Sequence, residues 1–270
     1  MDLGLREKIA LVTGGSAGIG RAIARRLAHE GASVVICGRR MARLEEAASV
    51  LRDETGGRIE AVAADVTVPE DVAHLVQEVK RMFGRIDILV NNAGTGIYKP
   101  FLEVQEEELV QAMQMNFFAM FRVTQKVVPL MLEQGGGSIV NITGTSGSST
   151  LEPPFFSTCS GPAKAAENRF TKALAMELGP SNIRVNCVAP GRVNAPERFE
   201  RWVRDIAGET GNQGIDAATL QREWGKRIRL SNHRWADIEE IANLAVFAVS
   251  SACGFMTGAI LVADGGETRD

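Results

Sequence analysis

Short apolar runs alternate with longer amphipathic segments along the chain. KIALVT (8–13), SVVIC (33–37), IEAVAA (59–64), DILVN (87–91), SIVNIT (138–143), IRVNCVA (183–189) and AILVA (259–263) are short, rich in β-branched residues and almost continuously apolar. That pattern predicts strands covered on both faces, as in a parallel sheet. Segments between them, such as GIGRAIARRLAHEG (18–31) and PEDVAHLVQEVKRMFG (69–84), place apolar residues at spacings of three and four with charge in between, which predicts amphipathic helices. Strand–helix alternation with right-handed crossovers gives an α/β fold: a doubly wound parallel sheet of about seven strands with helices on both faces. Ligands of such sheets bind at the carboxyl ends of the strands.

One segment breaks the alternation. Residues 192–235 are rich in charge and interrupted by GETGNQG, and they separate the sixth strand from the last helix. A surface insertion is the plain reading and a substrate lid the functional one. With 270 residues, 45% hydrophobic and 23% charged, the chain reads as a single domain, 1–270, with that lid inside it. A net charge of -3 offers no broad footprint for nucleic acid or an anionic membrane. Cys37, Cys159, Cys187 and Cys253 are isolated, with no CxxC spacing, so neither a disulfide framework nor a zinc site is expected, and no metal-ligand cluster is visible. No apolar run reaches membrane-spanning length, and the N-terminus has no secretory pattern. The expected setting is cytoplasmic.

The candidate chemistry follows the strands. The first runs into TGGSAGIG (13–20), where Gly14, Gly18 and Gly20 let the backbone turn tightly and bring helix N-terminal amides to a diphosphate. NNAG (91–94) follows the fourth strand, Asn116 lies within MQMNFFAMF, and Lys164 lies in SGPAKAA. NIRVNCVAPG (182–191) and TGAILVADGG (257–266) close the series. In this order and spacing the motifs resemble the short-chain dehydrogenase/reductase family over essentially the whole chain. The resemblance implies a Rossmann-like fold and a nicotinamide dinucleotide cofactor. It places cofactor contacts at Gly14, Ser16, Gly18, Ile19, Gly20, Arg39, Arg40, Asp65, Val66, Asn92, Ala93, Gly94, Lys164, Pro190, Gly191 and Val193. It also implies a homodimer or homotetramer, with the segments at about 103–133 and 160–178 at the interface, and a small-molecule substrate.

The end of the second strand, VVICGRR, bears on which cofactor. An acidic residue there would accept from the adenosine ribose, whereas Gly38 followed by Arg39 and Arg40 suits a 2′-phosphate. NADP(H) is favoured, with NAD(H) the alternative.

The departures from the family pattern concern the reaction. Counting back four from Lys164 reaches Ser160, where the family has its acid–base tyrosine. Gly144 stands at the usual serine position, beside Thr143, Thr145 and Ser146, and Ala195 replaces a cofactor-contacting threonine. Serine is shorter than tyrosine and a far weaker acid than a phenol with a pKa of about 10. The single tyrosine, Tyr98, reads as a wall residue near the cofactor mouth. Cys159 invites a nucleophilic reading, but His29, His74 and His233 are dispersed and none is placed as its base.

Three functions remain open on the sequence. The first is hydride transfer at a carbonyl or alcohol, with Lys164, Asn116, Ser160 and Ser146 as the polar site. The second is reduction of an enoyl or dienoyl thioester, a reaction of relatives that also lack the tyrosine, with Lys226, Arg227, Arg229 and Arg234 available for coenzyme A phosphates. The third is NADP(H) binding without turnover.

Overall fold

The computed structural model describes residues 1–150, 157–195, 200, 222, 225–226, 229 and 233–268. Seven parallel strands form the central sheet: β1 (Ile9–Thr13), β2 (Ser33–Gly38), β3 (Ile59–Ala63), β4 (Ile88–Asn91), β5 (Gly137–Ile142), β6 (Ile183–Pro190) and β9 (Ile260–Ala263). Their order is β3-β2-β1-β4-β5-β6-β9, so the chain reverses direction across the sheet between β1 and β4. The short strands β7 (Val193–Asn194) and β8 (Ala236–Asp237) pair with each other apart from the main sheet.

Helices α1 (Gly18–His29), α2 (Met41–Thr55), α3 (Pro69–Phe83), α4 (Glu106–Met113), α5 (Ala119–Glu133), α6 (Ser160–Leu178) and α7 (Ile238–Val249) flank the sheet. Helix α3 shows how local sequence sets the limits. Pro69 opens it where a missing N–H costs nothing, Glu70 and Asp71 favour its positive end, and Gly84 closes it at φ 73°. Every second strand residue faces one of two cores. Val12, Val34, Ile36, Val90 and Val140 pack against α1, α2 and α7, while Leu11, Val35, Leu89, Ile139 and Val185 share the opposite cluster with α3 and α5.

Arg184 on β6 fixes α7 to the sheet. Its guanidinium donates to the carbonyls of Ala248, Val249, Ser250 and Met256 at 2.9–3.1 Å, satisfying the end of the helix. Burial pushes its pKa down.

Residues 103–133 are not one helix. A π-helical turn at Gln114–Phe118 separates α4 from α5. Most of the expected lid at 192–235, Arg227 included, lies outside the described residues. Within the described part, Trp235 is buried and Arg234 is held by two 2.6 Å bonds to Glu240.

Candidate active site

A cleft opens at the carboxyl ends of β4, β5 and β6, beside the turn that follows β1. Its floor begins with the turn after β1. Gly14 and Gly18 hold φ of 65° and 52°, which disfavours any side chain. A Cβ on Gly20 would stand 2.4 Å from both Asn92 Nδ2 and the Gly14 carbonyl oxygen, so only glycine closes the turn. A Cβ on Gly18 would meet nothing nearer than Ala195 Cβ at 4.0 Å, which leaves open space above the turn. Helix α1 starts there with neither a side-chain cap nor an acidic residue in its first turn. Its leading amides are left for an anion.

The tips of β1 and β4 are stitched together by the two sequence motifs. Thr13 Oγ1 accepts from the Asn92 and Ala93 amides at 2.9 and 3.0 Å, and Asn92 Nδ2 donates to the carbonyls of Thr13 and Gly14 at 3.0 and 3.3 Å. At the other end of the groove, a Cβ on Gly38 would stand 3.9 Å from Ser16 Oγ, so Ser16 faces the tip of β2. Arg39 and Arg40 follow, both exposed, and Arg40 is the N-cap residue of α2. Burial raises the Asp65 pKa, but hydrogen bonds from Thr67 and the nearby Arg39 outweigh it and hold the carboxyl below its ordinary range. Val66 turns into the core. An open glycine turn, free helix amides and two exposed guanidinium groups fit a phosphorylated dinucleotide.

The residues expected to carry the reaction lie between β4, β5 and α6. Asn116 is fully buried in the π-helical turn, donates from Nδ2 to the Ala112 carbonyl at 2.8 Å and accepts from the Thr95 amide at 3.0 Å. A Cβ on Gly94 would stand 2.7 Å from Asn116 Oδ1 and 3.5 Å from Lys164 Nζ, so glycine leaves room for both groups. Lys164 lines the cleft, and so do Ser146, Tyr98, Ile19, Asn92, Gly94, Pro190, Gly191 and Val193. Among the described residues Ser146 Oγ has no protein hydrogen-bond partner.

Ser160 has a different role. Its hydroxyl is fully buried, accepts from the Ile97 amide at 2.6 Å and donates to the Ile97 carbonyl at 2.9 Å. It clamps the loop after β4 and does not line the cleft. Burial and the neighbouring Glu108 raise the pKa of Cys159, which is the opposite of an activated nucleophile. Among the described residues no cluster of metal ligands occurs, and no helix is long and apolar enough to cross a membrane.

Two features went unread in the sequence. Glu167 is 1% exposed and lies against Lys164, with Nζ 3.0 Å from Oε2. Arg192 and Glu267, both lining the cleft, form an ion pair at 2.6 Å. The first had a signal, a glutamate three residues after Lys164 on the same helix face. The second joins residues 75 positions apart and had none.

Comparison with known proteins agrees with this geometry. Residues 8–205 match the family described as short chain dehydrogenase. The chain is 34% identical over 262 residues to a peroxisomal 2,4-dienoyl-CoA reductase of Danio rerio, covering 97% of this chain and 82% of that protein. It is 35% identical over 262 residues to the 3-oxoacyl-[acyl-carrier-protein] reductase FabG of Chlamydia muridarum, covering 97% and 98%. The crystal structure of L-sorbose reductase from Gluconobacter frateurii, complexed with NADPH and L-sorbose, superimposes with a TM-score of 0.90 at 35% identity over the full length of both chains. With its sheet order, its two stitched turns and its lysine at the cleft, the chain belongs to the short-chain dehydrogenase family and is an oxidoreductase of that type.

Proposed function

We propose that this oxidoreductase uses NADP(H) and transfers hydride to or from a carbonyl or alcohol carbon of a small-molecule substrate. The observation that carries the reading is that Lys164 lines the cleft beside Gly94, with the buried Asn116 Oδ1 against the same glycine. NADPH, when bound, supplies the hydride. The glycine turn of residues 14–20 and the start of α1 would hold its diphosphate, and Arg39 and Arg40 its 2′-phosphate. The L-sorbose reductase complex supports that cofactor choice. Lys164 places a positive charge where negative charge develops on the substrate oxygen, and Ser146 offers a hydroxyl to orient it.

A second reading, reduction of an enoyl or dienoyl thioester, is favoured by the Ser160 clamp. No phenol stands four residues before the lysine, and a conjugate reduction places less demand on one. The dienoyl-CoA reductase relative points the same way. We also propose assembly as a homodimer or homotetramer, since Val110, Phe118 and Phe121 expose apolar surface along α4, the π turn and α5, and Met176 does so on α6. Sedimentation giving a monomer would refute that.

The test of function is NADPH and NADH oxidation with a panel of ketones, sugars and enoyl or dienoyl thioesters. Ketone or sugar reduction with NADPH supports the first reading, and turnover on thioesters alone supports the second. Tight NADPH binding with no turnover on any panel member would show a binding protein instead.

A further inference from the structure

Lys164 reaches the cleft, while Glu167 stands behind it and does not line the cleft. Helix α6 sets the two residues three apart on one face, with side chains 10% and 1% exposed. Nζ donates to Oε1 at 3.3 Å. Oε2, although only 3.0 Å from Nζ, lies off the hydrogen-bond direction and has no donor. The other titratable group facing this carboxyl among the described residues is Cys187 of β6, whose thiol burial pushes up to about 12. That thiol stays neutral and does not replace Lys164 as a partner. A carboxylate this enclosed, with one oxygen unmatched, is disfavoured as an anion. Burial raises the Glu167 pKa, and Lys164 opposes the rise without cancelling it.

The hydroxyl at residue 160 meanwhile gives its one proton to the Ile97 carbonyl and accepts from the Ile97 amide. A proton must still accompany each hydride.

We propose that Glu167 is the positioning partner and proton store of Lys164, and that this pair, not the residue-160 hydroxyl, furnishes the proton for the reduction. The inference rests on the reductase reading above. With hydride supplied by the bound cofactor, the carbonyl π electrons would move onto the substrate oxygen. An N–H bond of the Lys164 ammonium breaks, its electron pair stays on nitrogen, and an O–H bond forms on the substrate. The O–H bond of the Glu167 carboxyl then breaks and its proton passes to the Lys164 amine. The pair goes from a net charge of +1 to a net-zero ammonium–carboxylate pair, with Lys164 Nζ 3.0 Å from Glu167 Oε2 to offset part of the cost of the buried carboxylate. One proton entering from solvent resets it.

Glu167→Gln keeps the shape and removes the proton store. In cofactor-free protein a raised carboxyl pKa means stability that is full below the ordinary glutamate value, about 4.3, and is lost as pH rises through the folded value. Melting temperature should therefore decline with rising pH more steeply in wild type than in Glu167→Gln, and the Glu167 carboxyl carbon should titrate above the ordinary range by NMR. On a substrate the wild type reduces, Glu167→Gln should bind NADPH unchanged and lose roughly a hundredfold in turnover, with an altered pH profile. Glu167→Asp should recover part of the loss.

Wild-type turnover with an unaffected Glu167→Gln rate and pH profile would overturn this inference and leave the reductase reading intact. A wild type that reduces nothing on the panel would sink the reductase reading itself. Should Glu167→Gln fail to fold, the wild-type NMR titration decides, and an ordinary glutamate titration would overturn the proposal.

Discussion

The two ends of the groove follow different rules. The end proposed for the dinucleotide is built from backbone: a turn in which Gly14, Gly18 and Gly20 exclude a side chain, leading amides of α1, and two strand tips joined by Thr13 and Asn92. The end proposed for the reaction is built from side chains, and there the hydroxyl of Ser160 holds a loop while an unexpected carboxyl backs the lysine. Backbone recognition tolerates little change, because a single Cβ in the turn collides with its partner. Side-chain chemistry can shift to a neighbouring position while the sheet stays as it is.

The largest effect should come from Lys164→Ala, which removes the charge proposed to face the substrate oxygen. Turnover should fall by roughly a hundredfold to ten-thousandfold, the range for losing acid–base or electrostatic help. Steady-state assays with NADPH would show it, and a small loss would mean that the reacting end lies elsewhere. Next comes Gly20→Ala, aimed at the other end. Its Cβ must displace Asn92 or the Gly14 carbonyl, so overpacking should cost about 1–3 kcal/mol in chemical denaturation, with weaker NADPH binding. An unchanged midpoint would mean that the turn has more room than its geometry indicates. The smallest effect belongs to Arg39→Ala. Loss of a charge-assisted contact should reduce the preference for NADPH over NADH by roughly tenfold, about 1.4 kcal/mol, in fluorescence titrations, with NADH affinity unchanged. Equal weakening for both cofactors would remove the 2′-phosphate argument.

The same contrast governs what the sequence revealed. Every main strand was legible because buried parallel strands read as apolar runs: SVVIC anticipates Ser33–Gly38, and IRVNCVA anticipates Ile183–Pro190. The glycines were legible because each answers a backbone demand. The π turn that places Asn116 was not, since a π bulge leaves no periodic signature in QMNFF. Glu167 was passed over because a glutamate within a helical stretch ordinarily marks a solvated face. Only the packing of α6 on β5 and β6 shows it to be buried. Ser160 was located correctly on the helix, but its partner Ile97, 63 residues earlier, is a tertiary contact that no local pattern announces.

Single-turnover reduction in NADPH-loaded Ser160→Ala and Lys164→Ala, on whichever panel substrate the wild type accepts, separates a purely structural residue-160 hydroxyl from the proton delivery proposed for the Lys164–Glu167 pair. Ser160→Ala should lose about 1–3 kcal/mol of stability, because it strands the Ile97 amide and carbonyl. Its reduction rate should nonetheless stay within about threefold of wild type, while Lys164→Ala falls roughly a hundredfold or more. A Ser160→Ala rate as low as that of Lys164→Ala, in protein that still folds and binds NADPH, would instead place the residue-160 hydroxyl in the proton transfer.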